Sequence, residues 1–97
     1  MRNGSYRKSY HKVHSRLRSI LRREEFLIIT DEIANGILTA KRKGTLLKSA
    51  VLIEITIRKI DEETTQIFVT AQAQKHWLNT SEYRLQKIEE LILHSIS

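Results

Sequence analysis

Tyr6, Tyr10, Val13, Leu17, Ile20 and Leu21 recur at intervals of three and four, the spacing of one helix face, and predict a helix over residues 5–24. Ser5 or Ser9 can cap it. The opposite face carries Lys8, His11, Lys12, Ser15, Arg18, Ser19, Arg22 and Arg23, and the arginines of the last turn suit the negative end of the helix dipole. From Glu25 the period changes. Phe26 to Thr30 reads as a strand, Asn35-Gly36 as the turn that ends the connection from Asp31, and Ile37 to Lys43 as the antiparallel partner. Gly44 allows a second turn.

Ser49 to Ile60 alternates, with Val51, Ile53, Ile55 and Ile57 on one face and Glu54, Thr56 and Arg58 on the other. Thr65 to Gln74 repeats this, with Ile67, Val69, Ala71 and Ala73 inward. Folding the two runs at the polar connection Asp61 to Glu63 pairs Ile57 with Ile67, Ile55 with Val69 and Ile53 with Ala71. Past Trp77, Asn79 with Glu82 three residues on approximates a capping box. It opens a second helix with Leu85, Ile88, Leu91, Ile92 and Ile96 on one stripe. The expected fold is α+β, a four-stranded antiparallel sheet with an N-terminal and a C-terminal helix packed on one face, in the order αββββα. One domain spans residues 1–97, with residues 1–5 as a flexible tail.

The chain has 97 residues and a net charge of +6, and the charge is unevenly placed. Met1 to Glu25 hold eight of the seventeen basic residues and two of the eleven acidic ones, whereas Asp61 to Ser97 hold three and six. The basic helix face is therefore the main functional signal. Lys8, Lys12, Arg18, Arg22 and Arg23, joined by Lys41, Arg42 and Lys43, form the candidate binding surface. Trp77 joins them as a candidate anchor beside its simpler role of covering the end of the core. Leu52 and Phe68, on the outward sheet face, suggest a small apolar patch.

Catalytic chemistry finds no support. Without cysteine there is no disulfide, thiolate zinc site or cysteine nucleophile. His11 and His14 have ligand-like spacing, but no neighbouring Asp, Glu or Cys completes a metal site. Asp31-Glu32 and Asp61 to Glu63 fall in predicted turns, where carboxylates are solvated. No Gly-x-Ser-x-Gly elbow or phosphate loop is present, so neither enzymatic activity nor a cofactor is expected. The longest apolar runs, Phe26 to Ile29 and Ala50 to Ile53, are far shorter than the roughly 20 residues of a membrane span. Met1 to Tyr10 contain no apolar stretch of a signal peptide.

Once its residues are placed, the chain resembles small bacterial envelope modules, including domains of the lipoprotein associated with outer-membrane β-barrel assembly. The resemblance is carried by the helix Tyr10 to Leu21, the Phe26-x-Ile28 strand and the acidic-to-Gly turn Asp31 to Gly36. It continues through Gly36-x-Leu38-x-Ala40, the long hairpin Val51 to Ala73 and the helix Leu85 to Ile96. It departs from that pattern at Arg23-Glu24-Glu25, where a Gly often precedes the Phe, and in lacking a lipobox cysteine. The resemblance implies a helix-grip-like fold and a binding or scaffolding role. The expected function is a non-catalytic interaction module, envelope-associated, whose basic helix face meets an acidic protein partner or anionic surface. The alternative is a small basic nucleic-acid-associated protein that binds phosphates without sequence specificity; a weak homo-oligomer fits either reading. The expected location is the cell envelope or periplasm for a trimmed mature form, and otherwise the cytoplasm.

Overall fold

Period-two alternation puts Val51, Ile53, Ile55 and Ile57 on one side of β4 (Val51–Asp61) and Ile67, Val69 and Ala71 on the matching side of β5 (Thr64–Ala73), and all are buried. The computed structural model describes residues 2–43, 50–73 and 82–96. Ile57 pairs with Ile67, Ile55 with Val69 and Ile53 with Ala71, as the alternation requires. Asp61 shapes the turn between them, its Oδ1 accepting the Glu63 amide at 2.8 Å. Next to β4 lies β3 (Ile37–Arg42), and next to β3 lies β2 (Leu27–Glu32), each pairing antiparallel.

The sheet has five strands, in the order β1-β5-β4-β3-β2, which corrects the four expected. The additional strand is β1 (Arg2–Tyr6), from the segment read as a tail and first helical turn. It runs antiparallel to β5, from Arg2 opposite Val69 to Tyr6 opposite Thr65. Arg2 to Tyr6 contain no β-branched residue and include strand-disfavouring Asn3 and Gly4, so local propensity, with Tyr6 alone in its favour, gives little strand signal. What recruits the segment is the edge of β5, whose backbone groups need partners that a neighbouring strand supplies. Tyr6 locks the arrangement by donating its hydroxyl to the Leu93 carbonyl at 2.7 Å.

Because Tyr6 belongs to β1, helix α1 (Tyr10–Arg23) begins later than its apolar stripe suggests. Ser9 caps it, its side chain accepting the Lys12 amide at 3.4 Å, while Ser5 lies in β1. Val13, Leu17, Ile20 and Leu21 are buried against the sheet. Each such aliphatic side chain contributes about 1.5–3 kcal/mol by leaving water. At the far end Phe26 N–H donates to Leu21 O at 2.8 Å and Glu25 N–H to Arg22 O at 3.1 Å, the two bonds of a Schellman cap. That cap requires a left-handed residue, and Glu25 takes it with φ 66°.

The connection from β2 to β3 is a single 3₁₀ turn, Ile33–Asn35, ended by Gly36 at φ 68°. A Cβ on Gly36 would stand 2.1 Å from the Ile57 carbonyl oxygen, so only glycine fits this approach. Helix α2 (Glu82–Ile96) buries Ile92 and Ile96 and packs Leu85, Ile88 and Leu93 against the core. Leu91, expected on that stripe, is 42 % exposed. The predicted cap Asn79 lies outside the described residues. Both helices cover the same sheet face, with α1 beside β2 and β4 and α2 over β5 and β1.

The outer sheet face does not join Leu52 to Phe68. Phe68 sits between Thr56 and Asn3, while Leu52 faces Gln72 with the Glu54–Thr70 pair intervening. The expected patch is two separated, half-buried side chains.

Candidate functional site

The basic residues of α1 are sorted by what lies beside each face of the helix. Arg16 Nε donates to the Ser95 carbonyl and Arg23 Nη2 to the Ser95 hydroxyl, each at 3.1 Å. Arg16 thereby satisfies a carbonyl at the C-terminal end of α2, and both cations sit at the negative end of that helix's dipole. On the side toward β2, Arg18 Nε stands 3.2 Å from Asp31 Oδ2, and His14 Nε2 stands 2.6 Å from Asp31 Oδ1. Since a carboxylate only accepts, the imidazole Nε2–H donates.

A β-bulge brings Asp31 to this position. The register of β2 on β3 slips between Ile28 and Thr30, so Asp31 shares the inward side with Ile28. Without the extra residue, strict alternation would turn Thr30 inward and Asp31 outward. The bulge thus supplies the carboxylate that His14, only 7 % exposed, needs for its polar edge.

Of the predicted surface, Arg18 and Arg23 are therefore committed to contacts within the chain. Arg22, Lys41 and Lys43 are exposed and have no ion-pair partner among the described residues. The Arg42 guanidinium carbon sits 4.7 Å from the centroid of the Phe26 ring, where the charge is held without being neutralised. Leu27 lies opposite Lys41 on β3, so Arg22, Phe26, Leu27, Lys41 and Arg42 meet at one end of the β2–β3 pair. Lys12 is exposed about 15 Å away along the helix axis. Lys8 is half-buried just before α1, its carbonyl accepting the Thr65 hydroxyl at 2.8 Å. Trp77 lies outside the described residues.

Between α1 and β2 runs a groove of about 410 Å³, walled by Arg18 and Arg22 and floored by Phe26, Leu27, Ile28 and Ile29, with Asp31 at one end. Leu27 is 73 % exposed and Ile29 55 %, and no described strand pairs with the outer edge of β2. Nothing in the sequence singles out these two. Phe26 to Ile29 is an unbroken apolar run, so no alternation marks which members face water or that the strand ends the sheet. His14 and Asp31 were missed as a pair because their meeting depends on the bulge.

A second cleft, of about 480 Å³, lies between the start of α1 and the end of β4, lined by Tyr10, His11, Ile33 to Gly36 and Ile57 to Lys59. Tyr10 donates its hydroxyl to the Ile33 carbonyl there, and Lys59 pairs with Glu62 at 3.2 Å. His11 faces solvent while His14 is buried, so the histidine pair is divided. Among the described residues no three His, Cys, Asp or Glu side chains cluster as metal ligands, and no helix is long and apolar enough to cross a membrane.

Compared with protein-family models and with curated proteins, the chain finds no match.

Proposed function

We propose that this chain is a non-catalytic interaction module that engages an acidic protein partner along the α1–β2 side of the domain. One observation carries the reading: Arg22 and Lys41, two of the exposed cations left without an ion pair, stand beside Leu27, and Arg22 shares a groove with exposed Leu27 and Ile29. A face that is only solvated needs charge but no adjoining apolar surface. Arginine beside exposed aliphatic groups is instead the composition of a protein interface.

The test uses the variant Arg22→Gln/Lys41→Gln/Lys43→Gln, which removes charge without adding acid and should keep the circular dichroism of the parent. The probes are a labelled Glu/Val-alternating peptide, a DNA duplex and vesicles containing phosphatidylglycerol. The parent should bind the peptide best, and the variant should lose roughly tenfold or more in affinity for it. Equal affinity of parent and variant for the peptide would overturn the reading. Tighter binding of the duplex would replace it with phosphate neutralisation, which has its own steep salt dependence.

A further inference from the structure

We infer that the partner enters the α1–β2 groove as an extended acidic segment and pairs with the outer edge of β2 as a sixth strand. The inference rests on the acidic-partner reading and specifies how that partner is held. β2 ends the described sheet, and an end strand presents backbone N–H and C=O groups on its unpaired side. Such an edge is used by β-augmentation, in which the ladder gives affinity and alternate side chains give specificity.

The surroundings select the segment. Side chains of an added strand would alternate between the helix side, where Arg22 is exposed above Phe26 and Ile28, and the outer sheet face, where Lys41 stands beside Leu27. In an alternating segment the acidic groups share one face and the apolar groups the other, so on whichever face the acids fall they meet a cation, and the apolar groups cover the aliphatic side chains of the opposite face.

The footprint is short. The bulge between Ile28 and Thr30 interrupts regular pairing, and exposed Glu32 repels an acidic strand at that end. Pairing therefore centres on Leu27 to Ile29, since the Phe26 N–H is held by the Leu21 carbonyl. A second copy of this chain is the poorer occupant. Two-fold pairing of β2 with itself brings Arg22 of both copies into one groove, like charge facing like. The carboxylate best placed to relieve them, Asp31, is already held by His14 and Arg18.

The experiment compares two probes on the intact protein: the Glu/Val-alternating peptide and the same peptide N-methylated at alternate residues on its pairing edge. Methylation leaves every side chain in place and removes only the ladder hydrogen bonds. The expected result is roughly tenfold or greater weakening by N-methylation. Amide exchange should slow in the presence of the unmodified peptide at the outward-pointing amides of residues 27–29 and stay unchanged at Asp31 and Glu32.

Equal binding of the two peptides, with affinity still lost in the Arg22→Gln/Lys41→Gln/Lys43→Gln variant, would overturn strand addition and leave the acidic-partner reading standing. Binding of neither peptide would overturn both. Sedimentation of the free protein as a dimer that Ile29→Lys returns to monomer would assign the edge to a second copy and also overturn the inference.

Discussion

The imidazole of His14 on α1 and the carboxylate of Asp31 on β2 meet at 2.6 Å, although they lie 17 residues apart in the chain. Their contact ties the helix to the end strand where that strand is bulged. His14→Ala and Asp31→Ala should each cost about 1–3 kcal/mol, because Asp31→Ala leaves the buried imidazole without its acceptor and His14→Ala leaves Asp31 Oδ1 without its donor while Oδ2 stays beside Arg18. The double variant should cost less than the two together, with a coupling of about 0.5–3 kcal/mol. Arg18→Ala should cost under about 1 kcal/mol, since its side chain is 40 % exposed. Urea unfolding of the four variants checks this; strict additivity of His14→Ala and Asp31→Ala would contradict a direct bond.

Two left-handed residues should respond in opposite directions. Glu25 holds φ 66° to complete the Schellman cap, a conformation that costs a residue with a Cβ about 1–2 kcal/mol. After allowing for the greater chain entropy of glycine, Glu25→Gly should stabilise the fold by about 0.5–1 kcal/mol. Gly36→Ala should destabilise it by about 1–3 kcal/mol, since φ 68° is combined with the Ile57 oxygen 2.1 Å from the new Cβ. Thermal melts of the two variants should shift in opposite directions relative to the parent.

On β4, adjacent positions should differ sharply. Ile55 is 1 % exposed within the core, and an Asp there would lose several kcal/mol to desolvation, enough to unfold a domain of about 5–15 kcal/mol. Glu54 faces solvent between Thr39 and Thr70, so Glu54→Lys should be tolerated within about 0.5 kcal/mol. Circular dichroism and melting of Ile55→Asp beside Glu54→Lys decide the matter. Similar stability of the two would refute the inward parity of β4.

Burial raises the phenol pKa values of Tyr6 and Tyr10 above the ordinary 10.0. The folded state therefore keeps these protons at a pH where the unfolded chain releases them. The stability they confer is complete below pH 10 and declines as pH rises from there through the folded pKa values. Each hydroxyl also donates to a backbone carbonyl, of Leu93 and Ile33 respectively, a bond that ionisation abolishes. Tyr6→Phe/Tyr10→Phe should lower stability at neutral pH by about 0.5–1.5 kcal/mol per residue and flatten the alkaline decline. Urea titrations between about pH 9 and pH 11 compare the two slopes, which would be equal if neither phenol contributes.

The sequence by itself determined which sides of α1, β4 and β5 are buried, and how β4 meets β5. Period-two alternation assigns every side chain of a strand to a face, and the short turn after Asp61 leaves one offset that joins the apolar faces. The basic charge of the α1 outer face was equally legible, because composition at helical spacing needs no partner to be read. Only the tertiary structure decided the rest, where the outcome depends on segments far apart in the chain. Arg2 to Tyr6 carry no strand pattern and become β1 because β5 offers an edge and Leu93 accepts the Tyr6 hydroxyl. A bulge that no local pattern announces sets the parity of Asp31. Asp31 and Ser95 then engage Arg16, Arg18 and Arg23, and Arg22 is left exposed beside the apolar groove, since whether a charge is neutralised depends on what the fold brings within reach of it.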